Sequence, residues 1–111
     1  MEKIEYNKLV RDKIPEIIKK NNEIPATEVL KWREYMQALK DKVCEEAQEL
    51  ADAGDRKEVL NELADLQELI DTIRKESKLT KAQITTAQKK KRQERGGFKK
   101  RIFLKWTEKN S

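Results

Sequence analysis

Two apolar stripes at helical spacing, separated by a few residues, constrain this chain more than anything else in it. Met36, Leu39, Val43, Ala47 and Leu50 recur in steps of three and four, and so do Val59, Leu63, Leu66, Ile70 and Ile73. A helix advances about 100° per residue, so each set lies on one side of its helix. Between them, Asp52-Ala53-Gly54-Asp55-Arg56 is a break, with Gly54 as the expected C-terminal cap. Two helices with so short a connection fold back as an antiparallel hairpin. The first is expected over about 31–53 and the second to about Lys75.

The remaining punctuation adds two more helices. Asp12 as N-cap and Pro15 in the first turn predict a short helix to about Lys20, ended by Asn21-Asn22. Ile24 to Leu30 reads as extended or turn, because Pro25 disfavours helix before it. Thr80-Lys81-Ala82-Gln83 fits a capping box opening a polar helix to about Glu94. Arg95-Gly96-Gly97-Phe98 stops it. Arg101 to Trp106 is rich in strand-formers, compatible with a short C-terminal strand. The expected class is all-α, a helical hairpin core completed as a bundle by association of copies, in one domain over 1–111.

Association is expected because the core is modest: of 111 residues 36% are hydrophobic and 5% aromatic. Acids and bases nearly balance, leaving a net charge of +5, and the apolar spacing is regular, which disordered tracts lack. No apolar run approaches the roughly 18 residues of a membrane span, and the N-terminus lacks the apolar segment of a signal peptide. Cys44 is the only cysteine, so a reducing cytoplasm is the simplest location. There is no histidine, which removes His-based acid–base catalysis and most catalytic zinc sites. Metal chemistry would rest on oxygen ligands and hence on magnesium or manganese.

The acids give that idea a location. Measured from the first stripe, Glu46 lies about 60° to one side and Glu49 about 120° to the same side, while Glu45 falls nearly opposite. On the second helix, Glu62 lies about 60° and Asp65 about 120° from the stripe, again on one side. In an antiparallel hairpin these flanks meet. Glu49 comes level with Glu62 and Glu46 with Asp65, at equal distances from the break. Four carboxylates sharing a half-buried patch repel one another. A divalent cation relieves that, and so does pairing with Lys42, Arg56 or Lys57.

The pattern E-E-x-x-E then E-x-x-D on consecutive helices resembles the all-α nucleoside triphosphate pyrophosphohydrolases. This superfamily includes MazG-like enzymes and phosphoribosyl-ATP pyrophosphohydrolase. Tyr6-Asn7-Lys8-Leu9-Val10-Arg11-Asp12-Lys13-Ile14-Pro15-Glu16-Ile17-Ile18 is similar to the N-terminal signature of a compact MazG-like branch. Glu94-Arg95-Gly96-Gly97-Phe98 with Arg101-Ile102 is similar to its C-terminal one. The resemblance implies magnesium-dependent hydrolysis of a nucleoside triphosphate to the monophosphate and pyrophosphate, with Glu46, Glu49, Glu62 and Asp65 as metal ligands. Glu49 is the first choice to accept the proton of the attacking water, and Glu45 has a supporting role. Lys8, Arg11, Lys91 and Arg95 are the leading candidates for substrate phosphates, with Lys13, Lys99 and Arg101 as further ones. Trp32, Tyr35 or Phe98 could stack on a base, though such residues more often belong to cores or interfaces. Homodimers or tetramers are expected.

The terminal signatures fit nucleotide house-cleaning better than the phosphoribosyl-ATP step of histidine biosynthesis. Two readings compete from other classes. Lys89 to Arg92 and Lys99 to Arg101 fit a small basic nucleic-acid-binding regulator. Against it, the acidic clusters are central and no helix-turn-helix is evident. A purely structural module explains the hairpin but not the mirrored acids.

Overall fold

A computed structural model describes residues 2–110. It contains four helices and, among the described residues, no strand. They are α1 (Ile14–Lys20), α2 (Trp32–Asp52), α3 (Arg56–Glu76) and α4 (Lys81–Arg95). The all-α class is as expected, with boundaries within one or two residues of the expected ones. The chain divides into two compact units, one through Lys78 and one from Leu79. None of the helices is long and apolar enough to cross a membrane.

In the first unit, α2 packs on α3 as a hairpin. Buried and half-buried positions of α2 run Met36, Leu39, Val43, Glu46, Leu50. Those of α3 run Val59, Glu62, Leu66, Leu69, Ile73. Both sequences of steps are three and four in alternation, the spacing of a coiled-coil seam. This corrects the expected stripes. Ala47, Leu63 and Ile70 are exposed, and Glu46 and Glu62 occupy the seam instead of flanking it. Apolar identity alone put the α3 stripe on the wrong rotational track, because that helix has a second apolar row. Only Met36 and Leu39 are fully buried.

The turn between α2 and α3 also differs from expectation. Ala53, not Gly54, is the C-cap, and it is extended; Gly54 does not have the positive φ of a left-handed cap. Its N–H donates to Glu58 Oε2 at 2.9 Å, while Glu58 N–H donates to Asp55 Oδ1 at 2.8 Å. Asp55 is thus the N-cap of α3, satisfying donors that the first helical turn leaves open. In α1, Lys13 rather than Asp12 holds the N-cap position, and Pro15 lies in the first turn. Residues 24–30 form no regular element.

The second unit opens as expected. Thr80 Oγ1 accepts from Gln83 N–H at 3.1 Å and Gln83 Oε1 from Thr80 N–H at 2.7 Å, closing the capping box. Gly96 ends α4 with φ +82°. Arg101 to Trp106 is irregular, not a strand. A strand needs a hydrogen-bonding neighbour, and no other strand exists among the described residues. Arg101 itself has φ +58°, which breaks extended geometry at its start.

Candidate metal centre

Glu46 projects from α2 and Glu62 and Asp65 from α3, and one carboxylate oxygen from each lies within 4.8 Å of the others. A second group of the same tightness joins Glu45, Glu46 and Glu49 along α2. Glu46 belongs to both, so the five acids form one continuous cluster. The residues expected as ligands, Glu46, Glu49, Glu62 and Asp65, are brought together. The expected pairing of Glu46 with Asp65 holds, but Glu62 is grouped with Glu46 and not with Glu49, which joins the cluster only through Glu46.

Glu45 departs from its expected direction. Expected to point away from the seam, it instead offers an oxygen within 4.8 Å of Glu46 and Glu49. Lys8 Nζ and Lys42 Nζ hold it there, at 3.6 Å from Oε1 and 3.7 Å from Oε2. Both contacts are long and partly exposed, so each contributes little to stability.

The seam position of Glu46 has an electrostatic consequence. Its carboxyl is pushed up to about 7, first by loss of solvation, then by hydrogen bonding with Glu62 and Glu49 and by the charges of Glu49 and Asp65. Glu46 Oε2 and Glu62 Oε2 are hidden from solvent and meet no donor from the rest of the protein, so only a proton shared between the carboxyls joins them. Glu62 Oε1 accepts only a long 3.4 Å bond from Asn61. Ionised carboxylate oxygens hidden without donors are costly, and a shared proton or a cation relieves that cost. A hard, all-oxygen donor set of this kind fits magnesium or manganese.

The N-terminal arm supplies the positive rim. Arg11 Nη2 donates to Asp65 Oδ1 at 2.7 Å. Val10, Arg11, Ile14, Lys42, Glu46, Asp65, Glu68 and Leu69 line a cleft beside the cluster. Of the residues expected at substrate phosphates, Lys8 and Arg11 therefore stand at the acids. Lys91 and Arg95 are exposed on α4 in the second unit. Sequence reasoning assigned Arg11 to phosphate and missed that Asp65 holds it; a separation of 54 residues carries no periodic signal. Of the three cations considered for neutralising the cluster, Lys42 pairs with Glu45.

Tyr35, at the start of α2, has its hydroxyl pushed upward by burial and then by the charges of Glu76 and Asp12. Glu76 closes α3, so the beginning of one helix meets the end of the other, as an antiparallel hairpin requires. Compared with protein-family models, with curated proteins and with solved structures, the chain matches none.

Proposed function

We propose that this protein is a magnesium-dependent nucleoside triphosphate pyrophosphohydrolase, converting a (deoxy)nucleoside triphosphate and water to the monophosphate and pyrophosphate. Manganese is the alternative cation, and nucleotide house-cleaning in the cytoplasm is the proposed role. The observation that carries this reading is the pair of hidden oxygens on Glu46 and Glu62, which no donor from the rest of the protein meets, within an acidic cluster drawn from two helices. The order of the three sequence signatures along the chain supports it further.

Glu46, Glu49, Glu62 and Asp65 would hold the cation, which when bound neutralises phosphate charge and activates water. The chain's own residues do the rest. Glu49, exposed at the outer end of the cluster, is assigned the proton of the attacking water. Glu45 takes a supporting part by orienting Lys8 and Lys42. Lys8 and Arg11 form a cationic rim against triphosphate oxygens, and Arg11 presents a planar fork suited to them. A core this thin supports assembly as a homodimer or tetramer.

The test is a panel of nucleoside and deoxynucleoside triphosphates with magnesium or manganese, measuring monophosphate and pyrophosphate together. Pyrophosphate release that EDTA abolishes is expected. No release across the whole panel overturns the enzyme reading.

A further inference from the structure

The two units carry opposite charge and each leaves apolar side chains in water. From Leu79 onward the chain has eleven lysines and arginines against two glutamates. Within that unit Phe98, Ile102, Phe103, Leu104 and Trp106 are between 70% and 99% exposed. The tip half of the hairpin, residues 45–65, is the converse, with eight acids against two cations. There Leu60 and Leu63 are 69% and 50% exposed. An open groove lined by Lys57, Glu58, Leu60, Asn61, Glu62 and Ala64 lies alongside.

We propose that the basic C-terminal unit of one copy docks on the acidic hairpin tip of a second copy, and that the second copy returns the contact. Phe98 and the apolar run Ile102 to Trp106 cover Leu60, Leu63 and the groove. Lys99, Lys100, Arg101 and Lys105 meet the surrounding carboxylates. Two reciprocal contacts close with twofold symmetry and leave neither surface open. Other occupants satisfy only half of the pattern. A nucleic acid would take the cations and stack on Phe98, Phe103 and Trp106, but it would leave Leu60 and Leu63 of the acidic tip in water. Pairing of two C-terminal runs with each other would oppose like charges. This inference rests on the self-association in the proposed function and is independent of the metal and nucleotide chemistry.

The experiment is sedimentation of the full chain at tens of micromolar. Two double variants are compared with the unaltered protein, Phe103→Asp/Trp106→Asp and Leu60→Asp/Leu63→Asp, with far-UV circular dichroism as the check of fold. All four side chains are exposed, so helicity should hold in both. A milder Phe103→Ser serves if the doubly charged tail is not well behaved. The unaltered chain should be dimeric, and each double variant should weaken the dimer by about 100-fold or more, because it removes the anchor residues from one side of both contacts. An equimolar mixture of the two variants should associate where neither does alone. In it, one tail and one hairpin tip remain intact and complementary. Salt should weaken the dimer of the unaltered chain. A monomeric unaltered chain, a dimer indifferent to Phe103 and Trp106, or no association in the mixture would each overturn the exchange. A dimer indifferent to the tail still permits association through another face, and pyrophosphate release in that case leaves the enzyme reading standing.

Discussion

Arg11 Nη2 reaches Asp65 Oδ1 at 2.7 Å, tying the N-terminal arm to the second helix of the hairpin across 54 residues. No other ion pair among the described residues joins a cation to Asp65, and with the longer Lys8–Glu45 contact this one brings the arm and its charge to the rim of the acidic cluster.

Removal of the guanidinium should therefore act locally. Arg11→Ala is expected to lower global stability by under about 1 kcal/mol, as befits a partly exposed pair. Amide exchange over residues 9–14 should quicken far more than that of α2 or α3, since only the arm loses its tether. Urea unfolding and hydrogen exchange on the same samples separate the two effects. A uniform acceleration would contradict the assignment.

Glu46 makes stability depend on pH in a stated direction. Its folded carboxyl sits at about 7, above the ordinary value of 4.5, so between these limits the folded state holds more proton than the unfolded one. The contribution is present below about 4.5 and is lost as pH rises through about 7. In the metal-free protein, Glu46→Gln should thus gain stability relative to the unaltered chain as pH is raised through this window. Urea melts at intervals across the window check it.

Cation binding should reverse that penalty. Magnesium or manganese should raise the Tm of the unaltered chain, by about 2.7 kcal/mol of stability at a hundredfold excess over Kd. The gain should grow as pH rises towards 7 and above, because ligation needs the ionised carboxylates. EDTA should remove it. Glu62→Gln and Asp65→Asn should each abolish most of the shift and retain helical circular dichroism. An undiminished shift in both would place the cation elsewhere.

Gly54, one residue beyond the cap of α2, and Gly96, the cap of α4, should respond oppositely to alanine. Gly54 lacks a positive φ, and a Cβ there meets open space, so Gly54→Ala should stabilise by about 0.4–1 kcal/mol through the unfolded chain. Gly96 holds φ +82° with ψ −179°, a conformation essentially confined to glycine, so Gly96→Ala should cost about 1–3 kcal/mol. Thermal melts of the two variants decide it.

Much of this architecture is legible locally. The Thr80–Gln83 capping box, the Pro15 first turn and the break near Gly54 each depend on a few neighbouring residues, and each was read to within a residue or two. The carboxylates of the cluster were readable as well, because their positions on each helix follow from a fixed rotation per residue. The rotational offset was not. Apolar identity favoured Ala47, Leu63 and Ile70 for the seam, whereas packing placed Glu46 and Glu62 there and left those three in water. Helix α3 carries two apolar rows, and only contact with α2 selects between them. The strand-prone run from Arg101 to Trp106 shows the same limit, since strand propensity has no outlet without a partner strand.

Taken alone, the sequence determined the helices, the Thr80 capping box, the hairpin and the clustering of acids, all of which follow from interactions spanning a few residues. Tertiary structure decided which acids lie in the seam and which oxygens are hidden. It also brought Lys8 and Arg11 to the rim of the cluster. Those outcomes depend on contacts between residues far apart in the chain, for which loop closure and packing, not periodicity, set the geometry.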